Sequence, residues 1–309
     1  MGSIQKVILN DGAAIWLPPN YKSEYGSLAI PDPNIDVDTQ QKYPVGTRLT
    51  KDERAWRYAK VGDVDADGVS SRCIRRGSGL QSCACVNSYN DKLVSASGFN
   101  SVGDYKVKLD MTTHVSYLGT ASAVAKDDYR GGHFTLYTPT SYWGCRVESN
   151  TAEDGDGYVE ITLESPLPVT LSSSHYCMLE ENMWWKVQYP GTSSSYAICV
   201  GFPCIWSVSK STITDGPVTD GDFIWLQTWG PYEGIIMGNA TGATPGERGG
   251  YLASAANSGM YPDEDYYPGM SADNIPQFLG FITANNYLAA SPVDFDYNYL
   301  STFFLQIAP

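Results

Sequence analysis

One acidic pattern in the sequence has the residue types and spacing to bind a metal ion. Asp63, Asp65 and Asp67, followed by Gly68, match the first half of a calcium-binding EF-hand loop. The twelfth position of such a loop supplies a bidentate Glu, whereas this chain has Ile74 there. The run is therefore interpreted as a solvated turn, and Asp63, Asp65 and Asp67 are weak candidates for metal ligands. The acidic stretches 154–157 and 263–265 are interpreted as turns in the same way.

The residue types that enzymes most often use in catalysis are scattered along the chain. His114, His133 and His175 lie far apart in the sequence and form no zinc-binding motif. The nucleophile pattern G-x-S-x-G does not occur, and the glycines of 242–250 lack the strand, turn and helix of a phosphate-binding loop. With 34 acidic residues, any choice of a catalytic carboxylate pair is arbitrary. The sequence therefore predicts no catalytic site, no cofactor and no tightly bound metal.

The cysteines favour a role in the core over a role in disulfides. Seven are present, at positions 73, 83, 85, 145, 177, 199 and 204, so an oxidised scheme leaves one unpaired. Each lies in or beside an apolar stretch, and no C-x-x-C spacing occurs. The predicted state is a set of reduced thiols packed among apolar side chains.

Composition indicates a β-rich protein that binds neither nucleic acid nor membrane. Charged residues make up 17% of the chain, below the usual quarter, while 22 Tyr, 30 Gly and 18 Pro supply strand and turn residues. The formal net charge is -14, so direct contact with nucleic acid phosphates is not expected. No run of 18 apolar residues occurs, which predicts a chain that does not span a membrane.

The elements that must position any site are predicted to be strands. Polar and apolar residues alternate over 105–111, 159–164 and 303–307, and 47–61 has the pattern of a β-hairpin. Further strand candidates are 133–138, 183–189, 196–208 and 222–229, whereas 115–126 is the best of few helical patterns. The predicted fold is all-β, an antiparallel sandwich or barrel of jelly-roll or related type, with long irregular loops and little helix.

Two segments are expected to lie outside the regular body. Residues 1–44 are Pro-rich and are predicted to form an extended arm, before a β body over 45–309 that has one or two subdomains. A Gly- and Tyr-rich stretch over 230–274 is predicted to be a long loop ordered by a partner. Candidate interface residues are Tyr251, Tyr261, Tyr266, Tyr267, Trp225 and Trp229.

Two stretches resemble parts of known virion proteins. Residues 44–62, PVGTRLTKDERAWRYAKVG, resemble a hairpin near the start of structural proteins of tailed bacteriophages, in which Trp56 stands where those proteins have Phe. Residues 222–231, DFIWLQTWGP, resemble a later strand of the same proteins. The resemblance implies a capsid decoration, or cement, protein on the exterior of the virion. It further implies a homotrimer whose partner is the major capsid protein.

Three other functions stay open at the level of sequence. The Tyr- and Trp-rich stretches suit a receptor- or glycan-binding module of a spike or head fibre, with Trp184, Trp185, Trp225 and Trp229 as a stacking platform. Burial of these Trp residues in cores or interfaces is the favoured interpretation. A major capsid protein would bring a long helix that the sequence does not show, and a polysaccharide-degrading enzyme is the last alternative.

Overall fold

The computed structural model describes most of the strands and many of the connections between them. The described residues are 5–17, 30–62, 80–81, 89–92, 99–111, 124–137, 142–172, 175–188, 198–205, 218–235, 248–253, 258–262, 277–284 and 300–308. The chain divides into two compact units. Unit 1 is the continuous stretch Cys83–Trp185, which is inserted between the two stretches of unit 2, Gly2–Ser82 and Lys186–Pro309.

Unit 2 contains a sheet of twelve strands. Nine of them pair in the order β1-β2-β4-β5-β14-β18-β17-β15-β16, and β3, β6 and β13 pair off this path. All of its ladders are antiparallel. The strands are β1 (Gln5–Ile8), β2 (Ala14–Leu17), β3 (Val37–Asp38), β4 (Arg48–Lys51), β5 (Arg54–Lys60), β6 (Leu80–Gln81), β13 (Cys199–Pro203), β14 (Phe223–Ile235), β15 (Arg248–Ala253), β16 (Ser258–Pro262), β17 (Phe278–Ala284) and β18 (Leu300–Gln306).

The β4–β5 hairpin begins the central part of this sheet. Asp52 turns the chain with a φ of 53°, in the left-handed region that Asp tolerates better than most residues. Strand β5 then pairs with β14, where Tyr58 lies opposite Trp225. The rings of these two residues are 5.0 Å apart, and Tyr43 and Phe223 pack on Tyr58 at 5.3 and 5.7 Å. This aromatic cluster is buried and forms part of the unit 2 core.

Unit 1 contains a second antiparallel sheet with the order β7-β12-β9-β10-β11-β8. Its strands are β7 (Tyr89–Lys92), β8 (Lys106–Asp110), β9 (His133–Tyr137), β10 (Tyr142–Asn150), β11 (Tyr158–Leu163) and β12 (Tyr176–Glu180). Alternate residues such as Phe134 and Leu136 point into a separate apolar core, which also holds Val107, Ile161 and Leu179. The sheet therefore has one buried face and one outer face.

The all-β prediction is confirmed. Within the described ranges every regular element is a strand, the sheets are antiparallel, and no helix occurs that could cross a membrane. The predicted strands at 105–111, 159–164 and 303–307 correspond to β8, β11 and β18. The helical pattern at 115–126 lies mostly outside the described residues, and its last three residues are not helical.

Three expectations about element boundaries differ from the structure. Residues 183–186 form a turn and not the beginning of a strand. Within the expected N-terminal arm, β1 and β2 form a hairpin that joins the unit 2 sheet, with Ile15 and Leu17 buried. Within the expected loop at 230–274, β14 continues to Ile235 and a β15–β16 hairpin follows. In each case long-range pairing or local turn chemistry overrides the sequence pattern.

Candidate functional site

The outer face of the unit 1 sheet gathers exposed aromatic and charged side chains. In strand β9, Phe134 and Leu136 are buried, while His133 and Tyr137 at the strand ends are exposed. Residues directly opposite one another on paired strands share a face of the sheet. The register of β9 with β10 and β12 therefore determines which side chains accompany His133 and Tyr137 on the outer face.

A row of tyrosines crosses one end of this face. The row consists of Tyr137 of β9 and Tyr142 of β10, which lie opposite one another. The side chain of Tyr142 is 81% exposed and that of Tyr137 is 41% exposed. A tyrosine presents a large, stiff contact area with a polar hydroxyl, so two adjacent exposed tyrosines are an unusual surface to leave in water.

A polar row crosses the other end, four residues along the strands. His133 lies opposite Arg146 of β10 and opposite Glu180 of β12. Four residues of strand correspond to about 13 Å. A ligand as long as a disaccharide or a short peptide could therefore contact both the polar row and the tyrosine row. We refer to this surface, which carries Tyr137, Tyr142, His133, Arg146 and Glu180, as the tyrosine face.

The orientation of His133 depends on a glycine. A Cβ atom at Gly144 would lie 2.7 Å from Cε1 of His133, so the imidazole lies over this residue. The ring is also hydrogen-bonded through Nδ1 to Oγ1 of Thr135, at 3.2 Å. Arg146 is placed similarly, because a Cβ at Gly131 would lie 3.1 Å from its guanidinium. The tyrosine face thus presents donors and acceptors beside an aromatic platform.

The acidic turn at 154–157 serves to connect strands, as predicted. The carboxylate of Asp154 accepts hydrogen bonds from the backbone N–H groups of Asp156 and Tyr158, at 3.0 and 2.9 Å. These bonds, that from Tyr158 foremost, hold the pKa of Asp154 below its usual range. Gly157, with a φ of 82°, then begins the return into β11. The carboxylate therefore organises the turn between β10 and β11.

Of the predicted interface residues, the structure describes the side chains of Trp225 and Trp229. Trp225 is completely buried in the aromatic cluster of unit 2, so it is a core residue and not an interface anchor. Trp229 is half-buried and packs edge-on against Phe304, with ring centroids 5.7 Å apart. Tyr251 and Tyr261 are placed only as backbone positions in β15 and β16. Tyr266 and Tyr267 lie outside the described residues.

The weak metal candidates Asp63, Asp65 and Asp67 also lie outside the described residues, as does His114. The other two histidines are used locally. His133 is bonded to Thr135, and His175 accepts a hydrogen bond from the backbone N–H of Ser172 at 2.9 Å. Among the residues that the structure does describe, no group of three His, Cys, Asp or Glu is arranged to hold a metal.

The described cysteines are free thiols. Cys177, Cys199 and Cys204 are buried, and Cys145 is half-buried beside the unit 1 core. Burial raises the pKa of the Cys199 thiol to about 12, which keeps it protonated at neutral pH. Cys73, Cys83 and Cys85 lie outside the described part.

Sequence reasoning missed the tyrosine face, although part of its signal was present. The strand at 133–138 was predicted, and its alternation alone puts His133 and Tyr137 on the side away from Phe134 and Leu136. The partners were not predictable in that way, because Tyr142 lies in a strand that the pattern did not indicate. No family model, curated protein or solved structure matches this chain.

Proposed function

We propose that this chain is a non-enzymatic structural protein of a virus particle. It acts as a decoration protein on the exterior of a bacteriophage capsid, as a homotrimer bound to the major capsid protein. The observation that carries this proposal is the pair of exposed tyrosines, Tyr137 and Tyr142, on the outer face of a rigid antiparallel sheet. Aromatic side chains of this kind are enriched at protein–protein interfaces and supply much of the binding energy there.

The resemblance to phage proteins supports the virion part of the proposal. Its two segments are separated by about 160 residues in the sequence, yet they contribute neighbouring strands. Residues 44–62 contain the β4–β5 hairpin and residues 222–231 contain the first part of β14, which pairs with β5 from Phe223 to Trp229. The shared patterns therefore belong to one continuous piece of sheet, as expected for a common structural core.

The proposal is tested on virus particles assembled with variant chains. Tyr142→Ala is expected to reduce the amount of protein retained on particles at least tenfold, because a central aromatic anchor typically contributes 2 kcal/mol or more. Tyr105→Ala is the matched control, since Tyr105 is 54% exposed in the same unit but lies outside the tyrosine face. Electron microscopy of the wild-type particles should show the chain on the outer shell. Its absence from the particle would contradict the proposal.

A second function is favoured by one further observation on the same face. The polar row of His133, Arg146 and Glu180 lies about 13 Å from the tyrosine row, which suits a saccharide that stacks on tyrosine and hydrogen-bonds to charged groups. Under this alternative the chain is a glycan-binding module of a spike or head fibre. A glycan array with wild type and Tyr142→Ala separates the two functions. Glycan binding that the variant loses, with particle retention unchanged, would favour the module.

A further inference from the structure

A second surface, in unit 2, combines positive charge with incomplete hydrogen bonding. Lys6 of β1 lies opposite Trp16 of β2, Trp16 lies opposite Arg48 of β4, and Arg48 lies opposite Arg57 of β5. The four residues therefore share one face and form a line across four adjacent strands, which we call the basic row. With strands about 4.8 Å apart, the basic row is about 14 Å long.

The basic row faces away from the aromatic cluster of unit 2. The neighbouring positions on the same strands are Ile15, Leu49 and Trp56, which are all buried. Because side chains alternate between the faces of a sheet, Trp16, Arg48 and Arg57 point to the opposite side and are only partly buried. They are therefore accessible in part to a ligand.

Two cations of the basic row pack against an aromatic ring, and neither of them is paired with a carboxylate in the described ranges. The ammonium of Lys6 lies 5.1 Å from the ring centroid of Trp16, and the guanidinium carbon of Arg48 lies 5.5 Å from it. Neither Lys6 nor Arg48 forms an ion pair with a residue in the described ranges, although the chain has 34 acids. By contrast, Lys51 is paired with Asp11 at 2.8 Å.

Two buried donors in the basic row also lack acceptors. Nε of Arg48 and Nε1 of Trp16 are inaccessible to water and have no hydrogen-bond partner in the part of the chain that the structure describes. Burial and the proximity of Arg48 hold the pKa of Arg57 below its usual range. Like charges directly opposite one another and unsatisfied buried donors both cost folding free energy. An anion bound at the exposed ends of these side chains would relieve the repulsion between Arg48 and Arg57.

We propose that the basic row binds an acidic peptide segment of a partner protein, whose carboxylates pair with Lys6 at one end and with Arg48 at the other. This site is distinct from the tyrosine face, so the inference does not depend on the proposed function. The planar fork of Arg48 suits a carboxylate, which it can bind through two parallel hydrogen bonds. Lys6 and Arg48 lie on strands two spacings apart, about 10 Å, which suits two carboxylates of one peptide.

Other polyanions fit the basic row less well. A polysaccharide would need an open aromatic face for stacking, but the ring of Trp16 is already in contact with two cations. A nucleic acid is a long polyanion that the net charge of -14 repels, whereas a peptide needs only two or three carboxylates at this site. Charge complementarity and length together therefore favour an acidic peptide.

The test measures binding of a labelled synthetic peptide of alternating Glu and Ser to the full chain by fluorescence anisotropy at low salt. Wild type is expected to bind it, and to lose affinity steeply as salt rises. Arg48→Gln is expected to weaken binding at least tenfold, and a peptide with Gln in place of Glu is expected not to bind. Arg54→Gln is the matched control, because Arg54 lies on the adjacent strand β5 and faces the other side of the sheet, over Trp56. It should bind within twofold of wild type.

Thermal unfolding shows whether the variants remain folded, and Arg48→Gln should be at least as stable as wild type because a repulsion is removed. Three results would overturn the inference. They are no binding by wild type at millimolar peptide, an equal loss in both arginine variants, or tighter binding of polygalacturonate than of the Glu peptide. The last result would assign the basic row to acidic polysaccharides.

Discussion

At the scale of single residues, burial controls the chemistry of the thiols. Cys199 is completely buried and the pKa of its thiol is raised to about 12. Cys145 is half-buried at the edge of the unit 1 core, and its pKa is raised in the same direction. The thiolate is the reactive form of cysteine. Because Cys199 is both less exposed and more fully protonated than Cys145, it should react more slowly with an alkylating reagent.

Alkylation of the native protein at pH 8, followed by site-resolved mass spectrometry, should modify Cys199 at least tenfold more slowly than Cys145. The raised pKa also makes stability depend on pH. The folded state retains the Cys199 proton up to about pH 12, whereas the unfolded thiol loses it near its ordinary pKa. The contribution to the free energy of unfolding is therefore fully present below about pH 9 and is lost as pH rises through 12. Equal alkylation rates at the two sites would contradict the burial of Cys199.

A second residue-scale prediction concerns Gly280, where the backbone of β17 approaches β18. Its φ is 145°, and a Cβ atom there would overlap the backbone carbonyl oxygen of Phe304. Gly280→Ala should lower the free energy of unfolding by about 3 kcal/mol or more, because strain and overpacking add. Gly12→Ala separates the two causes, since Gly12 has a φ of 82° with no atom within 4 Å of the added Cβ. It should cost only about 1–2 kcal/mol in urea unfolding. Equal costs would show that the contact with Phe304 contributes nothing.

At the scale of elements, the alternation of polar and apolar residues predicts where strands lie, but it does not predict which strands pair with one another. β8 follows from Val107 and Leu109 alternating with lysines, and no distant information is needed. The pairing of β5 with β14 joins residues about 170 positions apart, which no local pattern encodes. The same limit explains why the tyrosine face was missed, because its members come from β9, β10 and β12.

The turn at 183–186, where the beginning of a strand was predicted, has a local cause. Met183, Trp184 and Trp185 are apolar and favour a strand, but Asn182 competes for the backbone. Its side-chain oxygen accepts a hydrogen bond from the N–H of Trp184 at 3.0 Å, and its carbonyl accepts one from Trp185 at 2.8 Å. Lys186 then takes a φ of 57°, which ends the turn. An Asn before an apolar run favours such a turn, whereas the apolar residues by themselves favour a strand.

Packing of the segment 30–44 onto the unit 2 sheet leads to an element-scale prediction. The hydroxyl of Tyr58 donates to the buried carboxylate of Asp38 at 2.8 Å and accepts from the backbone N–H of Lys42 at 3.3 Å. Burial raises the pKa of Tyr58, so the hydroxyl remains a donor at any physiological pH. The Lys42 ammonium pairs with Asp38 at 2.5 Å. The hydroxyl of Tyr58 thus links both Asp38 and Lys42 to β5 through hydrogen bonds.

Tyr58→Phe removes these hydrogen bonds while it keeps the ring in the aromatic cluster. The free energy of unfolding should fall by about 1–3 kcal/mol, since the buried Asp38 loses one of its partners. Amide hydrogen exchange should accelerate in 30–44 more than elsewhere in unit 2. Tyr105→Phe is the control, because that side chain is 54% exposed, and it should change stability by less than about 0.5 kcal/mol. Uniform acceleration across the sheet would show that the segment is not fastened locally.

At the scale of the whole molecule, the sequence indicated a large β body with one or two subdomains, and the insertion of one unit in the other was not predicted. The reason is physical, because both units have the same composition of alternating strands and polar turns. The two units are distinguished by strand pairing, because the strands of each unit form a separate sheet. Within unit 2, Val61 from the first stretch and Val187 from the second form a parallel bridge, and the N–H of Gly62 donates to the carbonyl oxygen of Val187 at 2.8 Å. The two stretches of unit 2 are therefore joined by long-range pairing that no local pattern in the sequence encodes.

The last prediction is that unit 1 folds without unit 2. Among the residues that the structure describes, the fifteen buried residues of its core all lie between Val107 and Leu179, within Cys83–Trp185. All six strands of its sheet lie in the same stretch. A chain of about 100 residues is long enough to form an independent domain. The excised stretch 83–185 should therefore give the circular dichroism of a β protein and unfold in one cooperative urea transition. A fragment of equal length that starts at 140 contains only half of unit 1, and it should show no such transition. If neither fragment unfolds cooperatively, the unit 1 core depends on unit 2 and the two units are one folding domain.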